Sequence, residues 1–237
     1  MRSKRYVIWI MSVLCFVSCA HKSGHKTRKA MSETISNKEF AEDSKERLPS
    51  QAKLDGATIF RKYNNAVFMV YTSDGENVYQ GSGFFIGKNG LAVSNYHVFK
   101  GTGVGEEFIK MPEDDTIYKV EKIYKKNENE DFIIFKVNCS NTVSIPIAES
   151  KPRIGDKVYA IGSPRGLENT FSSGEVSQWR DINLMQINAL IDHGSSGGAL
   201  INEYGEVVGV TSGTFYDGSQ ANLNYAWSID VIKPYLR

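Results

Sequence analysis

Two adjacent serines followed by two glycines stand in the segment Asp192–Asn202, which reads DHGSSGGALIN. A nucleophilic serine needs an exposed hydroxyl, a base that accepts its proton and hydrogen-bond donors for the oxyanion. Glycine on both sides lets the backbone turn sharply and bring N–H groups close to a substrate carbonyl. The serine directly before Gly197 is the one presented, so Ser196 is the candidate nucleophile, with Gly194 and Ser196 N–H as oxyanion donors. A glycine-rich hairpin turn is the alternative interpretation.

A histidine and an aspartate elsewhere in the chain have the positions that such a serine requires. His97 lies near the end of the apolar run LAVSNYHVF, where Val98 and Phe99 follow it, and Asp131 immediately precedes the apolar run FIIFKV. His193 is too close to Ser196 in sequence to suit the role of base easily. Taken singly, His97 would be a packed core residue and Asp131 an acid at a strand edge. The order His97, Asp131, Ser196 is nevertheless a known chain order for a serine triad, in which the acid orients the imidazole.

Short apolar segments alternate with turn residues along the body of the chain, from Ala66 onward. The segments are rich in Val, Ile, Phe and Tyr, and Gly, Asn, Asp and Pro separate them. Many short strands at close spacing predict an all-β barrel or sandwich. A short helix is expected around Leu54–Tyr63. The segment Ser150–Asp156 has the Pro and Gly that are typical of a connection between two halves.

The first 20 residues, MRSKRYVIWIMSVLCFVSCA, predict an export signal. A basic start precedes an apolar run that is too short for a comfortable membrane span. The end FVSC resembles a bacterial lipobox, so we interpret residues 1–19 as a lipoprotein-type signal with Cys19 as the lipidated residue. Ordinary cleavage near Ala20, or an uncleaved anchor, is the alternative. The prediction is a protein of the bacterial cell envelope or periplasm, attached to a membrane by its lipid.

The segment that follows has a composition typical of a flexible tether. Residues 20–53 are polar, charged and nearly free of aromatics, so they bury too little surface to offset the entropy lost on ordering. The body, residues 54–237, is 184 residues long by its bounds and is enough for a packed core. We therefore expect a disordered N-terminal tether followed by a folded domain.

Composition and motif spacing exclude several other classes of function. The whole chain has 28 basic and 27 acidic residues, a formal net charge of +1, so no overall field favours nucleic acid. Three cysteines and four histidines show no paired zinc spacing, so no metal is expected. GTGVGEEF lacks the spacing of a phosphate-binding loop, and glutamates offset the lysines of KIYKKNENED. A serine triad needs no cofactor, and none is expected.

Five segments of the body occur in an order typical of one family. They are SGFFIGKNGLAVSNYHVF, EDFIIFKV, AIGSPRGLENTFSSGEVS, HGSSGGALINEYGEVVGVTS and NYAWSI. On these segments the chain resembles the HtrA/Deg group of trypsin-like serine proteases, from about Tyr63 to the C-terminus. The resemblance implies the all-β, two-barrel chymotrypsin-like fold for residues 54–237, with barrels at about 64–148 and 149–232.

The same resemblance implies roles for individual residues and a class of substrate. Ser196 would be the nucleophile, His97 the general base and Asp131 the orienting acid in hydrolysing peptide bonds of proteins through an acyl-enzyme. The floor of the first specificity pocket would lie six residues before the nucleophile, at Leu190. Leu190 offers no carboxylate for a Lys or Arg side chain, so small to medium apolar P1 side chains are expected. The other residues expected around this pocket are Ser212, Gly213, Thr214, Tyr225 and Ala226.

Departures from the family pattern keep a second function open. Ser195 stands where relatives carry Asn and digestive-type relatives carry Asp, so activation through a freshly cut N-terminus is not expected. His193 replaces a commonly seen proline in the oxyanion loop. No PDZ module is expected after NYAWSI. The alternative is a latent or inactive protein of the same fold that binds peptides or a partner. Homo-oligomer formation and a role in envelope protein quality control rest on the resemblance alone.

Overall fold

The strands of the first half of the body close into a six-stranded antiparallel barrel. A computed structural model describes residues 52–102, 105–214 and 223–236, so the predicted signal, Cys19 and most of the tether lie outside the described residues. The strands are β1 Val67–Ser73, β2 Val78–Phe85, β3 Leu91–Ser94, β4 Phe108–Lys110, β5 Ile117–Asn127 and β6 Phe132–Val137. They follow the order β1-β2-β3-β6-β5-β4 around the barrel.

A second barrel of the same kind follows it. Its strands are β7 Lys157–Gly162, β8 Thr170–Trp179, β9 Leu184–Ile187, β10 Ala199–Asn202, β11 Val207–Thr214 and β12 Asn224–Ser228. They close in the order β10-β11-β12-β9-β8-β7. The prediction of an all-β, two-barrel fold is confirmed, because closure of each sheet leaves no free edge among these strands.

The helices are short and lie outside the barrel walls. The α-helix α1 spans Gly56–Tyr63 and begins after Asp55, whose carboxylate accepts a hydrogen bond from the Thr58 backbone N–H at 2.7 Å. Its buried residues are Ile59 and Tyr63. The 3-10 turns span Asn64–Ala66, His97–Phe99, Pro164–Gly166, Ile229–Val231 and Lys233–Tyr235. In the described part of the chain, none of the helices has the length and apolar content needed to cross a membrane.

Three apolar clusters form the core, and one of them joins the barrels. Phe68, Phe85 and Phe135 lie in the cluster inside the first barrel. Met185 and Ile187 lie in the cluster inside the second. The third cluster contains side chains from both barrels and from α1, among them Ile59, Val67, Phe84, Phe132, Ile161, Ala199 and Val210. Burial of this shared apolar surface holds the barrels against each other, so residues at their junction have defined positions.

Candidate active site

The candidate base and acid lie at one edge of the first barrel. Strands β3 and β6 are paired, with Ser94 opposite Ile133, and both residues of interest lie just beyond this pair. His97 begins the turn after β3, and Asp131 immediately precedes β6. The distance from His97 Nδ1 to Asp131 Oδ2 is 2.8 Å, and the His97 backbone N–H donates to Asp131 Oδ1 at 2.9 Å. The carboxylate therefore fixes both the ring and the backbone of His97.

The candidate acid is itself held in an unusual conformation. Asp131 has φ of +45°, in the left-handed region that residues with a Cβ seldom adopt. Asn95 is fully buried and donates from Nδ2 to the Asp131 carbonyl oxygen at 2.8 Å. From the second barrel, Ser212 Oγ donates to Asp131 Oδ2 at 2.8 Å. Hydrogen bonds from Asn95, His97 and Ser212 thus direct the carboxylate toward the imidazole.

The side chain of His97 is more exposed to solvent than that of Asp131, as expected for a base that must reach a substrate. The His97 side chain is 46% exposed, whereas that of Asp131 is 15% exposed. A substrate can therefore reach the imidazole, while water has little access to the carboxylate behind it. The hydrogen bond between His97 and Asp131 is therefore partly shielded from solvent on the side of the carboxylate.

The candidate nucleophile lies in the loop between β9 and β10 of the second barrel. Its hydroxyl, Ser196 Oγ, donates to the Ser212 carbonyl oxygen at 3.0 Å. Within the described residues it makes no hydrogen bond to His97. Ser212 therefore contacts two members of the predicted triad, Ser196 through its carbonyl and Asp131 through its hydroxyl. The structure brings His97, Asp131 and Ser196 together around Ser212, with the serine hydroxyl turned toward Ser212.

Two backbone N–H groups of this loop are available to a ligand. Between residues 193 and 198, the N–H groups of Gly194 and Ser196 have no acceptor in the part of the chain that the structure describes. Their neighbours are all bonded to acceptors in this loop or on β11: the N–H groups of His193, Ser195, Gly197 and Gly198. Unpaired N–H groups next to a nucleophile can stabilise a developing oxyanion. These are the two donors that the sequence predicts.

Side chains of the first barrel hold the nucleophile loop in place. Ser82 Oγ accepts from the Ser163 backbone N–H at 2.9 Å and donates to the Gly194 carbonyl oxygen at 2.7 Å. The Ser82 N–H also donates to the Ser196 carbonyl oxygen at 2.8 Å. Gln80 donates from Nε2 to the Ser163 carbonyl oxygen at 3.0 Å. Because Gln80 and Ser82 are two residues apart on β2, they share one face of the strand, which contacts the second barrel.

Sequence reasoning did not identify Gln80, Ser82 or Asn95, nor the contact of Ser212 with Asp131. A weak signal exists for the first two, since polar residues recur at every second position in YQGSG. Asn95 lies only two residues from His97, but nothing in its neighbours indicates that its amide faces Asp131. These residues position the predicted triad and are not expected to contact the substrate.

The residues predicted for the specificity pocket lie in different environments. The side chain of Leu190 is 62% exposed, and its carbonyl oxygen accepts from Ser172 Oγ at 2.6 Å. Ala226 is fully buried in the core of the second barrel. Tyr225 pairs with Gly213 across β11 and β12, and Thr214 pairs with Asn224. Ser212 contacts Ser196, as described above. The assignment of these residues to the pocket stays a prediction.

The free cysteine among the described residues, Cys139, is not one of the residues that form the candidate site. Cys139 packs against the core of the first barrel, and burial raises the pKa of its thiol, which lowers its nucleophilicity at neutral pH. No group of three or more His, Cys, Asp or Glu side chains in residues 52–102, 105–214 and 223–236 is placed to hold a metal ion.

Comparisons with known proteins show which family the chain resembles. Residues 81–210 match the family model described as "Trypsin-like peptidase domain". A probable periplasmic serine endoprotease DegP-like from Rhizobium meliloti (strain 1021) is 35% identical over 159 residues, which are 63% of this chain and 31% of that protein. The mitochondrial serine protease HTRA2 of Drosophila ananassae is 32% identical over 168 residues, 66% of this chain and 38% of that protein. The chain thus spans only 31–38% of these two relatives.

A solved structure shows the same architecture. The crystal structure of the serine endoprotease from Yersinia pestis superimposes with a TM-score of 0.68 at 27% sequence identity. The superposition covers 79% of this chain and 66% of that one.

Proposed function

Because the chain belongs to the trypsin-like peptidase domain family, we propose that it is a serine endopeptidase that hydrolyses peptide bonds of protein substrates. The observation that carries the proposal is the arrangement around Ser212, which contacts both Ser196 and Asp131 while Asp131 contacts His97. A protein that only binds peptides has no need of this arrangement beside two unpaired N–H groups. The inactive alternative is therefore an outcome of the test below.

The proposed reaction proceeds through an acyl-enzyme. Ser196 Oγ attacks the substrate carbonyl carbon as its proton passes to His97 Nε2, and Asp131 stabilises the imidazolium. The Gly194 and Ser196 N–H groups bind the oxyanion of the tetrahedral intermediate. The C–N bond breaks, and the leaving amine takes the proton from His97. Water then attacks the ester with His97 as base, which releases the acid and restores Ser196.

We propose that the Ser196 side chain changes its rotamer before the reaction. The Ser196 hydroxyl donates to the Ser212 carbonyl oxygen and must turn toward His97 before it attacks. We expect rotation about the Cα–Cβ bond to another staggered rotamer to bring the hydroxyl toward the imidazole. Catalytic hydrogen bonds are often made only in the substrate complex. The resting contact is therefore compatible with catalysis.

Labelling with a fluorophosphonate probe tests the proposal. We expect the folded body, from about Leu54 to Arg237, to form a covalent adduct because the probe phosphonylates an activated serine. Ser196→Ala is expected to abolish labelling, whereas Ser195→Ala, which changes the neighbouring hydroxyl, is expected to retain it. A folded wild-type protein that stays unlabelled would contradict the proposal and favour a latent or non-catalytic protein.

We also propose that the enzyme prefers small to medium apolar P1 side chains, with Leu190 at the pocket. A peptide library is expected to show cleavage after such residues, since no carboxylate is available there for a basic side chain. Leu190→Asp is expected to raise kcat/KM for P1 Lys and Arg at least about 10-fold. Ile154→Asp adds the same charge at a similarly exposed apolar residue in a remote turn and should leave specificity unchanged. Dominant cleavage after Lys or Arg by the wild type would contradict this preference.

The cellular location proposed here is the bacterial envelope, with the lipid on Cys19. Support comes from the export signal in the sequence and from relatives whose names describe them as periplasmic. Metabolic labelling with palmitate should mark the wild type and not Cys19→Ser. Export of an unlabelled wild type would instead indicate ordinary signal cleavage.

A further inference from the structure

The peptide bond between His193 and Gly194 determines where one oxyanion donor points. A trans peptide is planar, and its C=O and N–H groups point in opposite directions. The direction of the Gly194 N–H is therefore set by the direction of the His193 carbonyl. That carbonyl oxygen accepts a hydrogen bond from the Arg165 backbone N–H at 2.7 Å. The loop containing Arg165 thus holds the carbonyl on one side and leaves the Gly194 N–H on the other.

Arg165 has a backbone conformation that needs support. Its φ is 54° and its ψ is 28°, in the left-handed region that is unfavourable for a residue with a Cβ. The next residue, Gly166, donates its N–H to Gln80 Oε1 at 3.0 Å. The guanidinium group of Arg165 lies with both Nε and Nη2 at 2.8 Å from Asp192 Oδ2. Contacts on both sides of Arg165 therefore hold its N–H toward the His193 carbonyl.

Asp192 connects this arginine to the oxyanion loop. It directly precedes His193, and its Oδ1 accepts from the His193 N–H at 2.7 Å. Its carbonyl oxygen accepts from the Ser195 N–H at 2.9 Å. The hydrogen bond from the His193 N–H, and then the Arg165 guanidinium, hold the pKa of the Asp192 carboxyl below its ordinary value. The carboxylate is thus ionised at neutral pH, and Arg165 holds His193 through its carbonyl and through Asp192.

We propose that Arg165 and Asp192 are positioning residues that keep the Gly194 N–H directed toward the substrate oxyanion. The proposal rests on the endopeptidase function proposed above and adds two residues to the machinery that prepares the site. Both act through the His193–Gly194 peptide and neither contacts the reacting atoms. Without the ion pair, the left-handed Arg165 loses one of its two supports, and the His193–Gly194 peptide is held less firmly, which weakens one oxyanion donor.

Solvent exposure indicates that the ion pair of Arg165 with Asp192 contributes little to the stability of the fold. The Arg165 side chain is 70% exposed and that of Asp192 is 32% exposed. Exposed ion pairs contribute little to stability and are screened by salt. The same chain offers a matched pair, Arg153 and Asp156, with exposures of 72% and 31% and a separation of 3.3 Å. This second pair lies in the turn before β7, away from the loop that carries Ser196.

The experiment compares Arg165→Met with Arg153→Met in the full chain, using a peptide substrate and the fluorophosphonate probe. Because removal of one oxyanion donor costs about 10²–10³ in kcat, partial disorder of the peptide should lower kcat about 10- to 100-fold. We expect KM to change less than about 2-fold, because the oxyanion donor acts on the transition state and not on the bound substrate. Arg153→Met should match the wild type, and both variants should keep the wild-type melting temperature.

Three further variants separate the effect of the ion pair from an effect on the fold. Asp192→Asn should reproduce the loss, and its combination with Arg165→Met should cause little further loss because both remove one interaction. Arg165→Lys should restore part of kcat. Raising NaCl from about 0.05 M to about 1 M should lower the wild-type kcat toward that of Arg165→Met, whose kcat should stay level.

The outcomes are distinguishable. A reactive wild type together with unchanged kcat in both Arg165→Met and Asp192→Asn overturns the positioning role alone. Equal losses in Arg165→Met and Arg153→Met also overturn it, because they would reflect a general effect of surface charge. A wild type that fails to react with the probe contradicts the endopeptidase function, and the positioning role with it.

Discussion

Replacing Asp131 with asparagine is expected to lower kcat about 10⁴-fold while the protein stays folded. Asp131 Oδ2 accepts from both His97 Nδ1 and Ser212 Oγ, each at 2.8 Å. An asparagine that presents its NH₂ group to the imidazole needs an unprotonated Nδ1. The proton then lies on Nε2, which cannot accept the proton of Ser196. The wrong tautomer therefore stops the first step without removing any apolar packing.

Steady-state hydrolysis of a peptide substrate measures this effect, and thermal melting verifies the fold. Asp114→Asn is a suitable control, because Asp114 also accepts from a backbone N–H and a side-chain hydroxyl, those of Thr116 and Tyr118. It lies between β4 and β5 of the same barrel, away from His97. We expect its kcat to equal that of the wild type. A folded Asp131→Asn variant with kcat within about 10-fold of the wild type would show that Asp131 does not orient the base.

The second large effect is expected for Gly197→Ala, which should lose both activity and about 3 kcal/mol or more of stability. Gly197 has φ of +90°, and a Cβ there would collide with the Ser82 carbonyl oxygen and Ser94 Oγ. Both of those atoms belong to the first barrel, whereas Gly197 belongs to the second. Relief of the clash must therefore move the nucleophile loop or separate the barrels.

Urea unfolding measures the change in stability. Gly155→Ala separates the cost of backbone strain from the cost of the collision with the first barrel. Gly155 has a similar φ of +84°, but a Cβ there would meet no atom within 4 Å. Its substitution should cost only the backbone strain, about 1–2 kcal/mol, with unchanged activity. Equal destabilisation by the two alanines would mean that the close approach of the barrels at Gly197 is not important.

The parts of the site that could be predicted are those with local sequence signals. Ser196 lies between glycines, and His97 and Asp131 lie at the ends of apolar strands, so each has a recognisable neighbourhood. Many short strands predict an all-β barrel or sandwich, and the resemblance to a family implies two barrels. In these cases, the residues that identify a catalytic position or a strand are its close neighbours in the chain.

The supporting contacts could not be predicted because they join distant segments. Ser82 contacts Ser163 and Gly194 across 81 and 112 residues, and these contacts exist only when the barrels have docked. The ion pair of Arg165 with Asp192 depends on a left-handed backbone that no residue type at this position indicates. Spacing from the nucleophile predicts that Leu190 forms the floor of the specificity pocket. The direction of its side chain, however, depends on the conformation of the loop after β9.

The residues of the candidate site are divided between the two barrels, and this division affects when the protein can become active. His97 and Asp131 belong to one barrel, Ser196 and the oxyanion donors to the other, and Ser82 and Ser212 join them. We therefore expect a nascent or half-folded copy, in which the barrels have not yet docked, to lack hydrolytic activity. For the same reason, we expect local unfolding of either barrel to abolish hydrolysis, so that a damaged copy would be inactive and would not cleave other proteins.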